Sequence, residues 1–113
     1  MASDMALGEP AFWRADSRAR AEYARTADPQ FTRTERLRLE IPANTPTAAS
    51  VRVLDRLGAP RAVSPVVGDR VDESDGRRWI TVDLPLASLA QGDYVIEVVA
   101  DGATRLAAFR VVR

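Results

Sequence analysis

The sequence predicts an all-β domain, a two-sheet antiparallel sandwich of about seven short strands. Three observations carry that expectation. First, Gly92–Ala100 and Ala103–Val112 are apolar, β-branched runs on either side of Asp101-Gly102. An Asp-Gly pair between such runs supplies the positive φ that a type I′ hairpin needs at its central residues. Second, Leu37, Leu39 and Ile41 alternate with Arg36, Arg38 and Glu40. That is the period of a strand with one buried and one wet face. Third, Gly and Pro cut the chain into short apolar segments, and no segment carries the periodicity of a long amphipathic helix.

The hairpin register follows from its turn. With Asp101 and Gly102 as the loop, Ala100 faces Ala103, Ile96 faces Ala107 and Tyr94 faces Phe109. Tyr94, Ile96, Val98, Ala107, Phe109 and Val111 then share one face, the face richer in large apolar groups, which is assigned to the core. The order Leu89-x-x-Gly92-x-Tyr94 places a Tyr near the start of the penultimate strand. In Greek-key sandwiches such a hydroxyl bonds back to the preceding crossing loop.

Taken in order, Met5-Ala6-Leu7 reads as a short edge strand, and Phe12 and Trp13 pack on the body. Arg14–Ala27 has good helix propensity, an Asp16 or Ser17 cap and an Asp28-Pro29 stop, but a poor apolar stripe. A short helix and a solvated loop insertion near residues 16–27 both fit. Between Arg14 and Arg38 seven Arg face four acids, a local excess of +3. Thr34–Pro42 is a strand and Pro42–Thr47 a loop. Ala49–Leu57 is a strand with Ala49, Val51 and Val53 inward; Leu54 breaks the alternation, as a bulge would. Gly58-Ala59-Pro60 turns the chain. Ala62–Val67 is a short edge strand interrupted by Pro65, and Gly68–Arg77 is a polar connection. Arg78–Leu84 is a strand with Ile80, Val82 and Leu84 on one side and Trp79 on the other. Pro85–Gln91 is a crossing loop.

One domain accounts for 113 residues, long enough to bury about two-thirds of its unfolded surface. Residues 31–113 form the sandwich core, and residues 1–30 an irregular N-terminal strand or helix segment. The formal net charge is zero, so no whole-molecule field draws the chain to nucleic acid. All 16 basic residues are Arg, which GC-rich coding explains. No window approaches the roughly 18 apolar residues of a membrane span, so no membrane insertion is expected. The first residues lack a secretory pattern. The chain is therefore expected to be cytoplasmic or a module of a longer exported protein.

Catalysis is not expected. There is no His, Lys or Cys, so a Ser nucleophile lacks its usual base and no thiolate exists. The carboxylates of Asp69, Asp72, Glu73 and Asp75 precede Gly76, but without the every-second-residue spacing of a calcium loop. They read as a solvated turn, and no cofactor or metal is called for. The aromatics are scattered rather than interleaved with positive charge, which does not suit a single-strand stacking platform. The residues left as a candidate interaction surface are Trp13, Arg18, Tyr23, Arg25 and Trp79.

Several segments in order carry a family resemblance: Phe31-Thr32-Arg33-Thr34-Glu35-Arg36-Leu37, Leu54-Asp55-Arg56-x-Gly58, Leu86-Ala87-x-Leu89-Ala90-x-Gly92-Asp93-Tyr94-Val95 and Phe109-Arg110-Val111. Over Phe31 to Val112 the chain resembles the C-terminal Ig-like sandwich module of bacterial von Willebrand factor A-related proteins. The resemblance implies an Ig-like or fibronectin III-like fold. It also implies an accessory role beside a metal-binding A domain in exported or membrane-associated proteins, hence a periplasmic or extracellular location. The A domain's metal motif is not in this sequence, so no functional residues carry over. Three roles are expected in order: protein–protein contact or spacing in a larger bacterial protein, carbohydrate or small-ligand binding through Trp13, Tyr23 or Trp79, and homo-oligomer formation through an edge strand.

Overall fold

Strands with one apolar face gain stability only by burying that face against another layer. The computed structural model, which describes residues 7–16, 24–43, 49–63, 65–100 and 102–113, solves this with nine strands; no helix occurs among the described residues. They are β1 (Ala11–Asp16), β2 (Ala24–Thr26), β3 (Gln30–Thr32), β4 (Glu35–Ala43) and β5 (Ser50–Asp55). Next come β6 (Val66–Val71), β7 (Arg78–Pro85), β8 (Gly92–Ala100) and β9 (Ala103–Val112). A five-stranded sheet has the order β2-β1-β4-β7-β6, and a four-stranded sheet the order β3-β9-β8-β5. The predicted all-β sandwich is therefore the fold: β4 to β9 answer to six of the expected strands, and β1 and the three-residue β2 and β3 are additional.

The closing hairpin has the register its turn dictates. Ala100 pairs with Ala103, Ile96 with Ala107 and Tyr94 with Phe109. Gly102 has φ +77°, a left-handed conformation that Gly adopts without a Cβ clash. Tyr94, Ile96, Val98, Ala107, Phe109 and Val111 are all buried, and they meet Leu37, Leu39, Ile41, Ile80, Val82 and Leu84 from the other sheet. Phe109 stacks on Tyr94 at 5.6 Å and meets Phe31 edge-on at 6.4 Å, geometries that suit the ring quadrupoles. The Tyr94 hydroxyl donates to the Ala90 carbonyl at 2.8 Å, closing the crossing loop as expected.

Four readings change. Residues 14–16 and 24–26 are strand, neither the short helix nor the loop expected near residues 16–27; residues 17–23 lie outside the described residues. A helix there would forfeit the six-residue pairing of β1 with β4. It would also lose the packing of Phe12 on Phe31 at 5.8 Å. Helix propensity, a few tenths of a kcal/mol per residue, does not compete. β4 runs through Pro42 to Ala43 rather than ending at a loop. Pro42 is tolerated because its backbone faces away from β7, at a point where β1 has already ended; its carbonyl accepts the Gly8 N–H at 2.8 Å. Third, the edge strand expected at Ala62–Val67 begins after Pro65 and runs to Val71, through part of the supposed polar connection. Finally, β3 pairs with β9 in parallel. The Asp28-Pro29 turn delivers it there, with the Arg110 N–H donating to the Pro29 carbonyl at 2.8 Å and Phe31 fully buried. Of the expected N-terminal edge strand, Leu7 bridges Ala43, while Met5 and Ala6 lie outside the described residues.

Candidate interaction surface on the five-stranded sheet

Period-two alternation sends one set of side chains from β1, β4, β7 and β6 to the outer face. Across that face Trp13 lies beside Arg38, Arg38 beside Asp83, Pro42 beside Trp79 and Arg70 beside Trp79. Arg38 grips Asp83 with two bonds of 2.9 and 3.1 Å. Arg70 grips Glu40 with two of 3.0 and 2.8 Å. Fork-to-fork pairs of this kind are strong and directional. Glu40 was legible only as the wet side of an alternating strand, yet it is 3% exposed. Arg70 covers it, and Arg38 approaches it at 3.7 Å. The hydrogen bonds to Glu40 raise the Arg70 pKa further above its ordinary value.

Trp79 sits under this network. The Arg70 guanidinium is 5.3 Å from its ring centroid and that of Arg77 6.0 Å, both within cation–π range. Trp79, Arg25, Arg77, Glu9, Leu7 and Pro42 line a cleft of about 570 Å³. Neither Arg25 nor Arg77 forms an ion pair among the described residues. Of the surface residues predicted from sequence, Arg25 and Trp79 thus share one cleft. Trp13 pairs with Arg25 across β1 and β2. Both Trp residues are half-buried, and their indole N–H groups are buried with no acceptor among the described residues. Arg18 and Tyr23 lie outside the described residues.

Sequence reasoning located the adjoining edge only in part, at Ala62–Val67. β6 ends the five-stranded sheet, and Val66, Val67 and Val71 are 65%, 40% and 48% exposed. The direction of its free backbone groups follows from its end. The Asp72 N–H donates to the Arg77 carbonyl at 2.8 Å, so Asp72 faces β7. By the alternation of an antiparallel ladder, the N–H and C=O groups of Val67, Asp69 and Val71 face away from it. The other edges are blunted. β2 and β3 have three residues each. The edge of β5 is covered where Arg61 N–H donates to the Val53 carbonyl and Pro60 bridges Leu54. A legible signal existed: Val66-Val67 and Val71 bracket Gly68-Asp69-Arg70. Beyond β6, Asp72 accepts from the Ser74 N–H and hydroxyl at 2.9 and 2.6 Å, and Asp75 from the Arg77 N–H at 2.8 Å. The acids close a turn, and the Ser74 hydroxyl holds the Asp72 carboxyl below its ordinary pKa. No protein-family model and no curated protein matches the chain.

Proposed function

We propose that the chain is a non-catalytic, Ig-like accessory module making protein–protein contact in a larger bacterial protein, through the β6 edge of its five-stranded sheet. The open, valine-bearing β6 strand carries this reading. An edge of unpaired N–H and C=O groups templates strand addition, and folded proteins otherwise cover or shorten such edges. The Ig-like assignment is supported by strand order: β1-β4-β7-β6 and β9-β8-β5 correspond to the A-B-E-D and G-F-C arrangement of immunoglobulin domains. The Tyr94–Ala90 bond supports it too. A position beside a von Willebrand factor A-related domain is the part of the proposal that rests on the resemblance over Phe31 to Val112.

Because the chain has no Cys, a single introduced thiol reports one position. A Val71→Cys variant carrying a thiol-directed cross-linker should form adducts in extract of its own cells, while Thr104→Cys on the other sheet should not. Equal adducts from both positions would remove the β6 assignment. The cleft beside Trp79 favours a second reading, a carbohydrate or small-ligand site, because an indole and two guanidinium groups with no ion pair among the described residues line one concavity. Tryptophan fluorescence against a panel of neutral and uronic-acid oligosaccharides checks it; an unchanged spectrum across the panel excludes it.

A further inference from the structure

We infer that β6 takes an extended segment of another polypeptide, with a basic residue opposite Asp69 and apolar residues opposite Val67 and Val71. This rests on the protein-contact reading and names the chemistry of the partner.

Three observations lead there. Val67, Asp69 and Val71 present their backbone groups to the open edge, so an added strand forms its close pairs with these three. Their side chains share one face, which makes the order along the edge apolar, acidic, apolar. Asp69 keeps a side chain 63% exposed, with Arg78 reaching it from the next strand at 3.7 Å. The neighbouring Arg70 is committed to Glu40. The turn beyond adds Asp72, Glu73 and Asp75, all described, against Arg77. The edge therefore offers a negative centre between two valines.

That charge argues against a second copy as the occupant. Two β6 strands related by a two-fold axis use all three outward pairs in one register only, which sets Val67 opposite Val71 and Asp69 opposite Asp69. Like charges directly opposite destabilise a strand pair. Shifting by two residues sets Val67 against Asp69 and gives up a close pair. An Arg or Lys in a partner strand turns the same contact into an attractive one, and its neighbours two residues away meet Val67 and Val71.

The test uses the full chain and two capped peptides, Ser-Val-Thr-Arg-Thr-Val-Ser and the same sequence with Glu in place of Arg, followed by NMR amide exchange. The Arg peptide should slow exchange at Val67, Asp69 and Val71 by roughly tenfold or more, and the Glu peptide should not. Asp69→Arg should reverse that preference. Val67→Pro should abolish protection by either peptide, because its lost N–H points to the open edge rather than to β7. Equal protection by both peptides would overturn the charge selection and leave the edge reading standing. Protection that rises with protein concentration alone would assign the edge to a second copy and overturn the inference. Protection by neither peptide would also overturn it, and equal cross-linking from Val71→Cys and Thr104→Cys would then take the protein-contact reading with it.

Discussion

The β8–β9 hairpin and the β6 edge use similar valine-rich sequence in opposite ways. In the hairpin, alternate residues from both strands enter the core, and β9 is flanked by β8 and β3. In β6 the large apolar side chains stay exposed, and the strand is held from one side only. Its fixings are the ladder to β7 and the clamp of Arg70 on Glu40 and Trp79. Valine content does not separate a buried strand from an exposed edge; the neighbours do. The hairpin supplies stability, and β6 persists while half of its backbone groups have no strand partner among the described residues.

The sharpest way to break this contrast is to cut into the hairpin core. Phe109→Ala removes a ring packed on both Tyr94 and Phe31. It should cost about 3–5 kcal/mol in urea unfolding. A loss below about 1 kcal/mol would show that the core tolerates the cavity and that the hairpin does not dominate. A smaller effect is expected at the clamp. Glu40→Ala leaves two guanidinium groups without their shared carboxylate. Full burial would make that a loss of about 3–5 kcal/mol. Arg38 and Arg70 have side chains 30% and 38% exposed, so water compensates in part and about 2 kcal/mol is expected. Amide exchange should quicken across β6 and stay unchanged across β8 and β9; uniform quickening would dissolve the distinction between the two regions.

The smallest effect lies on the outer side of the hairpin. The Arg110 hydrogen bond holds the Asp93 carboxyl below its ordinary pKa of 3.8. A depressed carboxylate contributes stability above its unfolded pKa and loses it as pH falls through the folded value. Asp93→Asn should therefore be less stable than the parent at neutral pH, and the two should converge in thermal melts below about pH 4. Parallel melting curves down to pH 2 would show that the pair contributes nothing.

Local signals were enough for the hairpin. Asp-Gly fixed its turn, the turn fixed its register, and alternation fixed its buried face. β4 was legible for the same reason. The N-terminal strand was not, because Ala and Arg around residues 14–27 favour helix locally, while β1 forms through pairing with a strand some twenty residues on. β6 was obscured by Pro65 and by Gly68-Asp69-Arg70, which read as punctuation. Its order depends on Glu40, 30 residues away from Arg70 in sequence. The candidate surface was partly legible. Trp79 was placed correctly opposite Ile80, but burial of Glu40 and exposure of the β6 valines follow from sheet order, which no single segment encodes.

The parallel pairing of β3 with β9 has a mechanical consequence. Tension that pulls β3 toward its start and β9 toward its end slides two parallel neighbours past one another. The backbone bonds of that patch, including Arg110 to Pro29, would then be loaded together in shear rather than peeled one by one.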